Sequence, residues 1–274
     1  MKSSTLYRNE PIIDDSWTDG DVVDMCRPFS RGYNPDDRPE GFAYGDVAAR
    51  FSDSLLIPES EWEGLIQEQE ERKSRVSDVV TRLKIPHKNQ QSTNFCWANG
   101  PCHAAELLRV IQGYPYMSLS PASVAAPLTN FRNQGGWGLN AVKRAKEIGW
   151  VPSSLWPDNA IERRYFTSVN LSEASKYRFR EWIECKPRDK ASQISMLLRQ
   201  YPGSLGYLWW RHLVMGSEAV WLDGEPAVRI RNSWPGWGAN GFGILRGSRM
   251  LADDIVFPIS MRAAPGSAPV GGRV

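Results

Sequence analysis

The chain is short of cysteine, of histidine and of any excess charge, and each shortage closes off a class of function. Four cysteines, Cys26, Cys96, Cys102 and Cys185, in 274 residues are too few for a disulfide scaffold. None stands in the paired C-x-x-C spacing of a structural zinc site, so free thiols in a reducing compartment are expected. With 33 basic against 31 acidic residues the formal charge is only +2. That balance argues against partners chosen by bulk electrostatics, so neither nucleic acid nor an anionic membrane is expected. Long apolar runs are missing too. The most apolar window, LGYLWWRHLVMGSEAVWL, is interrupted by Arg211, His212 and Glu218 and is too short and polar to span a bilayer. The opening MKSSTLYRNEPIIDDSW has no apolar core of the signal-peptide kind, so Sec export is not expected and a cytoplasmic place is. No metal or other cofactor is called for. What the chain has in quantity is tryptophan, twelve in all, several of them set among glycines in the second half, as suits packed β-structure or a cleft.

Residues 1–57 are rich in Pro, Gly, Asp and Arg and keep no sustained period, which reads as an extended N-terminal arm with little core of its own. Within a linking segment, 58–85, apolar residues from Trp62 to Leu83 recur at roughly helical spacing, predicting one long surface helix that stops before Pro86. A helix should then start at the segment NQQSTNFCWANG and run through CWANGPCHAAELLRVI, with Pro101 as a site for a kink. Further helices are predicted over LNAVKRAKEIG, ending at Gly149, and over ASQISMLLRQY. After residue 204 the pattern turns to strands, with turns at Asp223-Gly224 and Asn240-Gly241. Helices first and strands later give an α+β core over 86–260, with a cleft where the halves meet. The tail, 261–274, has the composition of a linker.

A thiol becomes a nucleophile when ionised, and both a helix N-terminus and a nearby imidazolium favour the thiolate. Cys96 stands where a helix should begin, yet free cysteine is among the most buried residue types, so alone it is ambiguous. Only three histidines can partner it. His103 would lie on the same helix about 10 Å further along its axis, too far for a hydrogen bond. Zinc ligation by Cys96, Cys102 and His103 fails because those steps do not converge at ligand distance. His87, just before the motif, stays open. His212 precedes the Asp223-Gly224 turn and Asn232 follows it, both toward the same end of one hairpin, provided a bulge absorbs the unequal lengths. Alternation puts Asn232 on a face with Val228 and Ile230, where an amide wants a partner.

These residues resemble the papain-like cysteine peptidases. NQQSTNFCWA is similar to that family's nucleophile segment and RNSWPGWGANGFGIL to its Asn-Ser-Trp segment, over roughly residues 86–250. The resemblance implies a two-part fold, helical then antiparallel β-rich, with the active-site cleft between. It further implies Cys96 as nucleophile, His212 as general base and acid, Asn232 as its orienter and Gln90 as donor to the oxyanion. Gly135, Gly136, Trp97 and Trp234 are implied in substrate binding, Trp234 also shielding the histidine–asparagine pair. Two departures carry consequences: Thr93 stands where the family has a half-cystine, removing a disulfide, and Phe95 adds bulk before the thiol. The expected partner is a peptide or protein substrate, and the arm serves either as a propeptide or as a contact to a larger assembly such as a phage particle. A virion or assembly protein that keeps the fold without catalysis is the competing reading. A transglutaminase or acyltransferase is disfavoured by Asn232, since such enzymes usually pair histidine with aspartate.

Overall fold

A computed structural model describes residues 7, 9–38 and 44–261. Its helices are α1 (Asp19–Cys26), α2 (Glu59–Glu71), α3 (Val76–Arg82), α4 (Cys96–Ile111), α5 (Ala122–Leu128), α6 (Gly138–Glu147), α7 (Ser168–Ala174) and α8 (Lys190–Leu198). Its strands are β1 (Ile12–Ile13), β2 (Ala49–Arg50), β3 (Phe179–Cys185), β4 (Gly203–Tyr207), β5 (His212–Leu222), β6 (Glu225–Arg231), β7 (Phe242–Leu245) and β8 (Asp254–Met261). They form one sheet in the order β1-β7-β6-β5-β4-β8-β3-β2. The fold is α+β, as the order of patterns predicts.

The predicted β5–β6 hairpin forms because Asp223 and Gly224 take φ of 51° and 86°, the left-handed pair that turns a tight hairpin with the right twist. Adjacent pairings from β7 through to β3 are antiparallel. The N-terminal segment supplies both sheet edges, β1 running parallel to β7 and β2 parallel to β3. Its helix α1 buries Val22 and Cys26 against the sheet-side core. Beyond Met261 the expected tail lies outside the described residues.

The single long helix predicted between Ser60 and Leu83 is instead two. The chain breaks where Lys73 adopts φ of 50°, and α3 restarts with Asp78 accepting from the Arg75 backbone N–H at 3.1 Å and from its Nε at 3.0 Å. Nor is α3 a surface helix, because Val76, Val79 and Val80 pack with Ala104 and Leu107 of α4. Periodicity alone missed this: the apolar positions on either side of the break point to different cores. Helix α4 runs unbroken through Pro101, and α6 ends before Gly149, whose φ of 101° stops it as expected.

Candidate functional site

Helix α4 lies directly on β5, and Gly100 permits it. A Cβ there would meet Leu213 Cδ2 at 2.1 Å and the Val214 carbonyl oxygen at 3.1 Å, so a side chain would push helix and strand apart. The close approach brings Cys96, the first residue of α4, beside Leu213, whose backbone N–H points at the thiol. His212, which opens β5, is therefore next to the residue that touches the sulfur.

Along the hairpin, the register Leu222↔Glu225 slips between Gly216 and Glu218 to give Met215↔Arg231, which is the bulge the unequal strand lengths require. Asn232, one residue past Arg231, then reaches the face of His212, and its Oδ1 lies 2.8 Å from His212 Nε2. Since an amide oxygen only accepts, Nε2 carries the proton, and Nδ1 is left bare. That Nδ1 is buried and has no hydrogen-bond partner among the described residues. Asn232 is held by three further bonds, although its buried Nδ2 has no partner among the described residues: its N–H donates to the Gly241 carbonyl at 2.8 Å, its Oδ1 also accepts from Ser233 N at 2.7 Å, and its carbonyl lies 2.7 Å from His87 Nε2. Trp234 lies against the imidazole, ring centroids 4.3 Å apart, and covers the pair.

Cys96 and His212 are both fully buried. Burial pushes the thiol up to about 11, against the opposing pull of the backbone N–H groups of Leu213, Gly32, Trp97 and Tyr33. Burial likewise holds His212 down to about 3, the Asn232 bond opposing. At neutral pH both groups are uncharged.

What buries them is the N-terminal segment. The Gly32 N–H donates to Cys96 Sγ at 3.2 Å, and Gly136 N donates to the Gly32 carbonyl at 2.8 Å. Asn34 N donates to the Gly136 carbonyl at 3.0 Å, completing a parallel bridge between Tyr33 and Gly136. On the other side of the sulfur, the Ser30 carbonyl accepts from Gln90 Nε2 at 2.9 Å and from Trp234 Nε1 at 3.0 Å, while Phe29 stacks on Trp234 at 4.6 Å. Residues 29–34 thus thread the cleft. Gly135 and Gly136 both need to be glycine here: a Cβ on the first would meet the Gly32 oxygen at 2.6 Å, and one on the second would meet the Trp97 ring at 2.6 Å. Trp97 serves as the floor under that segment, its Nε1 donating to the Gln134 carbonyl at 3.3 Å.

Gln90 is held in place from behind, its Oε1 accepting from Ser233 Oγ at 2.6 Å. Thr93, where a half-cystine was missing, donates its hydroxyl to the Gln90 carbonyl at 2.6 Å, and all four cysteines are free thiols. The ring of Phe95 is fully buried and stands edge-on to Trp97. His103 is structural as expected, an acceptor for Arg231 Nη1 at 2.9 Å. Sequence reasoning missed Ser30, Gly32 and Tyr33, which act mainly through their backbone. It also left His87 unassigned, although it buttresses Asn232. Among the described residues no cluster of histidine, cysteine, aspartate and glutamate could hold a metal, and no helix is long and apolar enough to cross a membrane.

No protein-family model and no curated protein sequence matches the chain. Solved structures do resemble it. Xylellain, a cysteine protease from Xylella fastidiosa, superposes with a TM-score of 0.59 at 17% identity, covering 86% of this chain and 97% of that one. Digestive procathepsin L 3 of Tenebrio molitor larval midgut gives 0.55 at 17% identity, covering 63% of this chain and 66% of that one. A structure from the mite allergens Blo t 1 and Der p 1 gives 0.53 at 19% identity, again covering 63% and 66%. At these identities the likeness speaks for the fold, and the chain has the papain-like α+β fold, with residues 29–34 lying in the cleft between its helical and β-rich halves.

Proposed function

We propose that the protein is a cysteine peptidase held latent by its own N-terminal segment. The observation that carries the reading is the arrangement around Cys96: a thiol at a helix start, a histidine hydrogen-bonded to an amide with its other nitrogen bare, and the Gln90 amide already donating to a backbone carbonyl in the cleft. In the proposed reaction His212 Nδ1 takes the thiol proton and Sγ attacks the scissile carbonyl carbon. The tetrahedral oxygen accepts from Gln90 Nε2 and the Cys96 backbone N–H. His212 returns the proton to the leaving amine as the C–N bond breaks. A water then attacks the thioester, His212 taking its proton, and the C–S bond breaks to free the acid and the thiol.

The same chemistry explains why the arm is not itself cut. His212 must protonate the leaving amine, so the amine half of a substrate lies on the side of His212 and Trp234, and the acyl half lies along Gly135–Gly136. A productive peptide therefore runs from Gly136 toward Trp234. The arm runs the other way, from Phe29 at Trp234 to Asn34 at Gly136, and offers the sulfur an N–H in place of a carbonyl carbon. Treatment with a peptidyl epoxide under conditions that loosen the arm tests this: labelling should fall on Cys96 and vanish in Cys96→Ala. Uniform labelling of Cys26, Cys96, Cys102 and Cys185, with no peptide hydrolysis, would instead favour an assembly protein that keeps the fold without catalysis.

A further inference from the structure

His87 is the one histidine that the sequence leaves open and the proposed reaction leaves idle. It cannot serve as the base, because its Nε2 is already engaged 2.7 Å from the Asn232 carbonyl oxygen. A carbonyl oxygen only accepts, so that nitrogen carries the proton. Burial, opposed by this bond and assisted by nearby Arg231, holds the imidazole below its ordinary range, so it is a neutral donor at neutral pH. Gly241 makes the room: a Cβ there would meet His87 Nε2 at 2.4 Å and the Asn232 carbonyl oxygen at 3.0 Å. Its φ of 83° asks for glycine as well.

Residues 85–90 lie beside residues 231–233 and are tied to them along their length. The Ile85 carbonyl accepts from Arg231 Nη2 at 3.0 Å, His87 meets Asn232, and the Gln90 N–H donates to the Ser233 carbonyl at 2.8 Å. The middle tie falls on Asn232 itself. That residue is gripped on its amide side by the Gly241 carbonyl and on its carbonyl side by His87, and no other donor among the described residues bonds the carbonyl. Asn232 has no exposed surface. Without the imidazole N–H a buried carbonyl would lack a partner, and the peptide unit between Asn232 and Ser233 would turn to find one. The turn would carry the Ser233 N–H with it. Since that N–H donates to the same Oδ1 that faces His212 Nε2, the orienting amide would swing off the imidazole.

We propose that His87 is a positioning residue for the cysteine chemistry: its Nε2–H fixes the Asn232 carbonyl, and through it the angle at which Asn232 Oδ1 meets His212. The inference rests on the peptidase reading for its meaning, and its first test needs no turnover.

The intact chain is labelled with ¹⁵N at histidine, and the His212 Nε2–H resonance is followed. His87→Gln keeps an N–H at the reach of Nε2, whereas His87→Asn, one methylene shorter, does not. In His87→Asn the His212 Nε2 proton should exchange with water about tenfold faster than in the parent chain, and His87→Gln should restore most of the protection. Equal exchange in the two variants, or no change from the parent in His87→Asn, would overturn the proposal. The second arm uses protein with the cleft opened by Gly32→Ala and a fluorogenic peptide. There His87→Asn should lower kcat about tenfold with KM unchanged, and His87→Gln should recover it. In the Asn232→Ala background the same substitution should cost less than about twofold, because its route of action is already gone. A loss that adds in full to that of Asn232→Ala, or one confined to KM, would overturn the positioning role. Turnover indifferent to His87 removes that role and leaves the peptidase reading standing. Faster proton exchange in His87→Asn, in a protein that hydrolyses no peptide once opened, supports the role and removes the peptidase.

Discussion

Gly32 is the point at which the arm can be dislodged with least damage elsewhere. A Cβ there would lie 1.8 Å from the Asn94 carbonyl oxygen and 2.6 Å from its carbon, backbone atoms of the loop that leads into α4. Gly32→Ala should therefore expel residues 29–34 from the cleft while leaving the sheet and helices intact. The thiol would then fall from about 11 toward its ordinary 9.0, raising the thiolate fraction at neutral pH about a hundredfold. A less basic thiolate is a weaker nucleophile, with a slope of about 0.4–0.5 per unit, so the net gain from ionisation is about tenfold. Access for the reagent adds to it, since Cys96 has no exposed surface in the closed form. The assay is brief iodoacetamide treatment at pH 7 followed by peptide mass spectrometry. Cys102 and Cys185 serve as internal references, because both are buried and their thiols are raised. Cys96 should be modified at least tenfold faster in Gly32→Ala than in the parent chain, those two unchanged. An unchanged Cys96 rate in a protein whose circular dichroism matches the parent would refute the claim that the arm is what silences the thiol.

In the opened form, Cys96→Ala should abolish peptide hydrolysis, and Asn232→Ala should lower kcat by about 10²-fold, since it removes orientation but not the base; equal losses in two folded proteins would contradict the orienting role. Gln90→Ala should lower kcat by about 10²–10³-fold with little change in KM, as a donor to developing charge does, and a loss confined to KM would remove it from the oxyanion site. Away from the cleft, Lys88 Nζ lies 2.8 Å from Glu106 Oε1 and 3.0 Å from Asp158 Oδ2, and Glu106 Oε2 already lacks a partner. Lys88→Met should cost about 3–5 kcal/mol in denaturant melts by leaving Glu106 buried and uncompensated, and a cost under about 1 kcal/mol would show that the carboxyl is carried neutral. His212 and Asp254 tilt stability with pH in opposite senses. His212, at about 3 when folded against an ordinary 6.5, penalises the fold increasingly as pH falls from about 6.5 toward 3, whereas Asp254, at about 7 against 3.8, contributes stability present below 3.8 and lost as pH rises toward 7. Melts between pH 4 and 6.5 should therefore show His212→Gln gaining on the parent toward acid and Asp254→Asn losing, by up to about 1.4 kcal/mol per pH unit each, and three parallel curves would rule this out.

What could be read from the sequence was what local rules write down. The Asp223-Gly224 turn forces a hairpin, counting residues on its arms demands a bulge, and the bulge decides that Asn232 meets His212. The four residues proposed to carry the chemistry were legible because they are side chains that open a helix or strand, Cys96 and His212, or stand in the short segments beside one, Gln90 and Asn232. Strands β3 and β8 were not, since FREWIEC and DIVFPISM pair with each other, and the second also with β4, across long stretches of chain, and neither carries a turn at its end that would announce a hairpin. The break between α2 and α3 rests on one residue, Lys73, in a conformation that its side chain does not advertise.

The largest omission is the most instructive about the function. The segment PFSRGYNP read as arm because it has no period, and it has no period because it is held by what it threads through and not by its own pattern. Its grip is mostly backbone: the Ser30 carbonyl on Gln90 and Trp234, the Gly32 N–H on the thiol, the Gly32 carbonyl and Asn34 N–H on Gly136. Backbone groups are the same in every sequence, so nothing in the residue string could mark them. Gly32 is an exception in retrospect, since its place is explained only by Asn94 across the cleft, 62 residues on. If the cleft holds a peptide substrate by its main chain, as proposed, it holds the chain's own N-terminal segment with the same groups, and chain direction is then what would separate an inhibitor from a substrate. Reversal puts an amide hydrogen where the carbonyl carbon of a substrate would be, so the segment uses the donors and acceptors of a bound peptide while withholding the atom the thiol would attack.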